Sequence, residues 1–258
     1  MNAPLLEVQK LGIHFGGLRA VDDFHYTLNA GELGGIIGPN GAGKTTIFNM
    51  LTGIYRPTEG NIIFEGKNIV GESIHGFSSH GIARTFQNIR LFKDLTVLDN
   101  IKIAFHMRIH YSVFASVFRT ASVEKREVEL ERQSMELLER LSLAEFSHLL
   151  ARNLPYGIQR KLEIARALAT GPRLLLLDEP AAGMNPQEVD QLAQTIRWIL
   201  ETFKVTILLI EHHMQLVMSI CDHVTVVNFG KLIAEGTPDE IKSNGAVIDA
   251  YLGKGGEF

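Results

Sequence analysis

Gly38-Pro39-Asn40-Gly41-Ala42-Gly43-Lys44-Thr45-Thr46 is the stretch that decides how this chain folds. It fits the pattern G-x-x-x-x-G-K-[ST], a phosphate-binding P-loop. The apolar run Leu33 to Ile37 precedes it and reads as a buried strand. Ile47-Phe48-Asn49-Met50-Leu51 follows and reads as the opening of a helix. The strand–loop–helix context separates a working loop from a glycine-rich turn with an exposed lysine.

The chemistry follows from the residue types. Three glycines let the backbone curl so that successive N–H groups face phosphate oxygens. A helix that begins near Lys44 adds its N-terminal dipole and unpaired N–H groups. Lys44 is placed to reach the β- and γ-phosphates, and the Thr45 hydroxyl to meet Mg²⁺. The remaining loop positions, Gly38 to Gly43 and Thr46, are expected to line the nucleotide.

The chain has 258 residues, enough for a sizeable core. Its 45% hydrophobic and 21% charged content are ordinary for a globular protein. A net charge of -4 argues against a general polyanion binder, so no nucleic-acid partner is expected. Cys221 is the only cysteine; an internal disulfide is impossible, and a reducing cytoplasm fits. Met1-Asn2-Ala3-Pro4 does not open a signal peptide, and no apolar run approaches a membrane span. Contact with a membrane system is therefore expected only through a partner.

Along the chain, Leu5 to Val8, Phe24 to Leu28 and Leu33 to Ile37 are short strand-like runs. Gly60 to Phe64 continues that character, which predicts a small antiparallel β layer beside the loop. From about residue 88 to 170 the pattern becomes helical. Leu130, Leu137, Leu138 and Leu141 fall on one face of a helix spanning residues 123 to 143. Beyond residue 170 a parallel sheet is predicted. Leu174 to Leu177 is apolar throughout, as for a strand covered on both faces. Asn185, Pro186 and Glu188 make a helix start with a capping box, and Thr237-Pro238-Asp239-Glu240 repeats the device.

Leu174 to Leu177 runs into Asp178-Glu179. A carboxylate at that strand end, Asp178, suits Mg²⁺. Glu179, one residue on, suits a general base for an attacking water. Three other residues are ambiguous when read alone. Gln87 is a surface amide by default. His212 follows the strand at Val205 to Ile210 and serves either structure or catalysis. Phe15 is either core or a surface that stacks on adenine.

The order of these elements resembles an ATP-binding-cassette (ABC) transporter ATPase over nearly the whole chain. It is most similar to the cassettes of branched-chain amino-acid importers. The stretches that carry the likeness are Phe15 to Val21, Arg84 to Phe92, Leu154 to Arg160, Glu179 to Pro186 and Gly236-Thr237-Pro238. The resemblance implies an α/β P-loop NTPase fold with a β-rich N-terminal layer, a mostly parallel core sheet and an inserted helical subdomain. It implies one nucleotide-binding domain over residues 1–258. Residues 88–170 would be inserted into a core made from 1–87 and 171–258.

The resemblance also implies roles. Phe15 would stack on adenine, Gln87 would meet Mg²⁺ and the attacking water, Glu179 would be the base, and His212 the switch histidine. Leu154, Pro155, Tyr156, Gly157 and Gln159 would form the signature that completes a partner chain's site. Asn185 would lie in the D-loop, which usually carries Asp there. The usual signature is Leu-Ser-Gly-Gly-Gln, and Pro155, Tyr156 and Ile158 depart from it. Gly157 and a helix start near Gln159 would then be the remaining anion-binding groups.

The implied activity is MgATP hydrolysis that powers import, with branched-chain amino acids as cargo. Urea, amides or other amino acids are the alternative cargoes, and a soluble ABC regulator acting on nucleic acid or ribosomes is the alternative class. The implied partners are a second ATPase subunit, membrane permease subunits and, indirectly, a solute-binding protein. The implied location is the cytoplasmic face of the inner or plasma membrane. The aromatic-rich stretch from Phe105 to Phe118 is a candidate permease contact, or else a core-facing helix.

Lys44→Ala should abolish ATP binding, because it removes the point charge that neutralises the β- and γ-phosphates. Near-normal affinity by equilibrium titration would overturn the loop assignment.

Overall fold

The computed structural model describes residues 3–106 and 121–252. Residues 107–118 of the aromatic stretch lie outside them. The chain divides into two compact units, Met1–Gln87 with Arg173–Phe258, and Asn88–Pro172.

The first unit holds two sheets. Strands β1 (Leu6–Phe15), β2 (Leu18–Leu28), β4 (Glu59–Phe64) and β5 (Lys67–Asn68) form an antiparallel sheet in the order β2-β1-β4-β5. In β2 the side chains of Phe24, Tyr26 and Leu28 are buried and alternate with exposed neighbours. That period of two fits a sheet with one covered face.

The second sheet has six strands in the order β10-β9-β3-β8-β7-β6. They are β3 (Leu33–Ile37), β6 (Ile82–Arg84), β7 (Leu174–Asp178), β8 (Thr206–Ile210), β9 (His223–Asn228) and β10 (Lys231–Gly236). Strands β3, β6, β7, β8 and β9 pair in parallel, and β10 closes one edge as an antiparallel hairpin. Every residue of β3, β7 and β8 is buried, as for strands covered on both faces. Leu33–Ile37 therefore separates from the earlier β runs. Its unbroken apolar character suits the parallel sheet, not a layer with one wet face.

One buried cluster draws on both sheets and on helix α1 (Lys44–Met50). It includes Phe24, Ile36, Phe48, Ile62 and Leu208. Burying each such side chain is worth about 1.5–3 kcal/mol. Cys221 packs against the middle of β3. A Cβ built on Gly35 would lie 2.9 Å from its sulfur, so only glycine fits that contact.

The same unit carries α2 (Ile74–Ser79), α6 (Pro186–Phe203), α7 (Met214–Ile220), α8 (Pro238–Lys242) and α9 (Gly245–Leu252). Helix α6 buries Leu192, Ile196, Ile199 and Leu200 along one stripe. It starts with a complete capping box. Asn185 accepts the Glu188 N–H at 3.0 Å, and the Glu188 carboxylate accepts the Asn185 N–H at 2.9 Å.

The second unit contains α3 (Val97–His106), α4 (Ala121–Arg140) and α5 (Tyr156–Ala169). Leu130, Leu137 and Leu138 of α4 are buried, as is Leu141 just past its end. Helix in this unit begins at Val97, not at residue 88. Asn100 explains the difference. Fully buried, it accepts the Phe92 N–H at 3.0 Å and donates to the carbonyls of Phe92 and Thr96 at 3.0 and 2.9 Å. Its amide satisfies backbone groups that a helix would otherwise pair internally.

Asn185→Ala removes the α6 cap. It should cost about 1 kcal/mol, a fall of roughly 2–4 °C in the melting midpoint. An unchanged midpoint by calorimetry would show the cap to be redundant.

Candidate nucleotide site

The P-loop joins β3 to α1. Its path requires glycine at Gly38, where φ is 153° and a Cβ would lie 2.0 Å from the Val227 carbonyl oxygen. The loop thus runs against the end of β9. The next turn, between β9 and β10, is tied to it as well. Gly230 donates its N–H to the Ala42 carbonyl at 2.8 Å and accepts the Asp22 N–H at 2.9 Å.

Lys44 is 5% exposed. Its ammonium donates to the carbonyls of Gly38 and Pro39 at 2.6 and 3.0 Å. Burial pulls its pKa below the usual lysine value, and the nearby carboxylates of Glu179, Asp178 and Glu211 oppose that shift. The cation therefore sits inside the loop and close to three acids.

A cavity of about 490 Å³ opens over the loop. Asn40, Gly41, Ala42, Gly43, Lys44, Thr45 and Thr46 line its polar side, and Glu179 joins them. Phe15 lines the same cavity and meets the Tyr55 ring edge-on at 5.3 Å between centroids. One cavity thus combines a cation-bearing loop with aromatic side chains, which suits a nucleoside triphosphate.

Glu179 follows β7 with φ at 45°. A non-glycine residue in that region is strained and is held there by its surroundings. One carboxylate oxygen, Oε2, accepts a hydrogen bond from Gln87 Nε2 at 2.7 Å. His212 Nδ1 lies 3.8 Å from the same oxygen, and the His212 side chain is 45% exposed. Gln87, Glu179 and His212, distant in sequence, therefore meet beside the loop. Thr45, Gln87 and Asp178 offer hydroxyl, amide and carboxylate oxygens, hard donors of the kind a small divalent cation takes.

Two further residues escaped the reading of the sequence. Arg84 ends β6 and pairs with Asp178 at 2.6 Å, with both side chains almost fully buried. It also donates to Asn49 at 2.8 Å and lies over the Phe48 and Phe86 rings. Glu211 is fully buried just after β8. Its Oε1 accepts the Ala181 N–H at 2.8 Å, while Oε2 accepts the N–H groups of His212 and His213 at 3.0 and 3.2 Å. An acid that directly follows an all-apolar strand was the available signal, and Glu211 repeats the pattern of Asp178. For Arg84 the sequence holds no such cue.

In the second unit, Pro155 is the N-cap of α5, and Tyr156 is 43% exposed. The helix starts at Tyr156, three residues before the position expected from the sequence. Gln159 already donates its N–H to Pro155 at 2.9 Å, and its side chain donates to the Leu154 carbonyl at 2.8 Å. Intrahelical N–H donation therefore begins at Gln159, and Tyr156, Gly157 and Ile158 make up the first turn of this helix end. Leu154 is buried. Asn185 uses its side-chain oxygen in the α6 cap.

Arg84→Ala would leave the Asp178 carboxylate buried and unpaired. Removing one partner of such a pair costs roughly 3–5 kcal/mol. Denaturant unfolding should show it as a lower midpoint with an unchanged slope, and a loss below 1 kcal/mol would show that water replaces the guanidinium.

No helix among the described residues is long and apolar enough to cross a membrane. The ABC transporter family model matches residues 21–182. A second model, the branched-chain amino acid ATP-binding cassette transporter, matches residues 231–257. The chain is 46% identical over 254 residues to the high-affinity branched-chain amino acid transport ATP-binding protein BraF of Pseudomonas aeruginosa, covering 98% of this chain and 100% of that one. It is 44% identical to LivG of Escherichia coli, of the same description, with the same coverage. Among solved structures, the ADP conformation of MJ1267, an ATP-binding cassette of an ABC transporter, superposes with a TM-score of 0.84 at 31% identity, covering 98% of this chain and 100% of that one. The chain thus belongs to the ABC transporter family, among the ATP-binding proteins of branched-chain amino acid transport.

Proposed function

We propose that this chain hydrolyses MgATP to drive a membrane importer whose cargo is branched-chain amino acids. The observation that carries the hydrolytic reading is Glu179, a carboxylate in the same cavity as Lys44 and Thr45. The cargo reading is supported by the match at residues 231–257 and by the descriptions of the relatives.

The P-loop N–H groups and Lys44 hold the β- and γ-phosphates, and Phe15 takes the adenine. Lys44 exchanges its loop carbonyls for phosphate oxygens, which returns a buried cation to a strong counter-charge. Thr45, Asp178 and Gln87 would hold Mg²⁺, which would supply neutralisation of the phosphate charge. Glu179 takes a proton from water as the water oxygen bonds to the γ-phosphorus and the bond from that phosphorus to the β–γ bridging oxygen breaks. The Gln87 amide orients the base through its hydrogen bond. His212 steadies the γ-phosphate from the exposed side of the same group.

The working assembly is a pair of cassettes on permease subunits at the cytoplasmic face of the membrane, fed by a solute-binding protein. Pro155 replaces the signature serine, so this chain's signature makes one fewer contact to a partner's γ-phosphate. A mixed pair, with a partner of the usual signature, keeps the site on Lys44 and Glu179 complete.

The test uses the assembled transporter in proteoliposomes, with ATPase activity stimulated by leucine-loaded binding protein. Glu179→Gln in this chain alone should lower that activity by about 10²–10⁴-fold while ATP still binds. The matching change in the partner should cost less. Full activity in the Glu179→Gln assembly would place the base elsewhere, and stimulation by a urea receptor but not by the leucine receptor would reassign the cargo.

A further inference from the structure

The cavity carries large apolar side chains that phosphate chemistry does not use. Phe15, Leu18 and Phe229 are 45%, 67% and 72% exposed, and all three line this one cavity. Large apolar side chains gathered on a single concave surface mark a ligand contact. Phe15 is assigned above to the base. Phe229, 214 residues further along the chain by its numbering, has no role in that scheme.

Its backbone is unusual. Phe229 sits at the tip of the β9–β10 hairpin with φ at 47°. A bulky side chain in the left-handed region is strained and persists only where its surroundings hold it. Here they do. The next residue, Gly230, is bonded to Ala42 of the P-loop on one side and to Asp22 of β2 on the other. The hairpin tip is therefore fastened to the loop that grips the phosphates, and the ring is presented to the same cavity.

We propose that Phe229 is a second nucleobase contact, forming with Phe15 and Leu18 an apolar site for the flat ring of the nucleotide. The inference rests on the nucleotide reading of this cavity. An aromatic face attracts any base by stacking and dispersion, without reading its hydrogen-bond pattern. The phosphate end is built from other residues, so loss of the ring weakens nucleotides and spares bare polyphosphate.

Calorimetric titration of the purified chain with MgATP and with magnesium tripolyphosphate tests this. The variants are Phe229→Ala and Phe229→Gly. The glycine tolerates the left-handed backbone and keeps the hairpin in place. Both variants should bind ATP about 5- to 150-fold more weakly, the scale of one lost base–aromatic contact. Tripolyphosphate affinity should stay within twofold of wild type. Unchanged ATP affinity in both variants overturns the assignment. So does an equal loss for both ligands, which would make Phe229 a prop for the P-loop. A wild-type chain that binds neither ligand would instead remove the nucleotide site itself.

Discussion

A buried lysine charge is the constraint around which this structure is arranged. Lys44 opens α1, just past the loop that leaves β3, and the acids that oppose its desolvation lie at the ends of β8, which pairs with β3, and of β7, the next strand over. Their levels are set by register. Asp178 pairs with Ile210, and Ile210 pairs with Ile36, two residues before Gly38. A parallel sheet brings the C-terminal ends of its strands to one edge, and so gathers a cation and three carboxylates from distant parts of the sequence. An antiparallel arrangement of β3, β7 and β8 would send some of these charges to the opposite edge.

Each acid then has a different second partner, and this separates their chemistry. Asp178 is pinned by Arg84. Glu211 accepts backbone N–H groups on both oxygens, and the His213 ring nitrogen Nδ1 lies 3.1 Å from one of them. Glu179 alone lines the open cavity, with a side-chain amide as its hydrogen-bond partner. Three carboxylates near one lysine therefore differ in their partners and in access to the cavity.

Much of this was legible in the residues. Gly38 to Thr46 announces its own geometry, because spacing and glycine content constrain the backbone directly. Leu174 to Asp178 reads as a covered strand because nothing polar interrupts it. Asn185 and Thr237 cap helices as their spacing to Glu188 and Glu240 implies. The unread part is of another kind. Asn100 delays helix α3 through bonds made only in the folded unit, and Arg84 meets Asp178 across 94 positions of sequence. The Arg84 pairing depends on the register of β6 against β7, and the Asn100 bonds on the path of the loop before α3. Local pattern carries no information about which polar residue finds which partner. Gln87 and His212 entered the candidate site through family likeness for the same reason.

The contact of Cys221 with Gly35 has a practical consequence. The thiol is 5% exposed, and burial, helped by the Asp222 charge, pushes its pKa far above the usual thiol range. The nucleophile in thiol chemistry is the thiolate, and almost none exists at this position near neutral pH. The only native cysteine is thus chemically silent while the sheet is intact. Maleimide or disulfide reagents should report on cysteines introduced at the surface without first replacing the native one. Slow labelling of Cys221 itself then becomes a clock for the opening of β3, the strand that carries the phosphate loop.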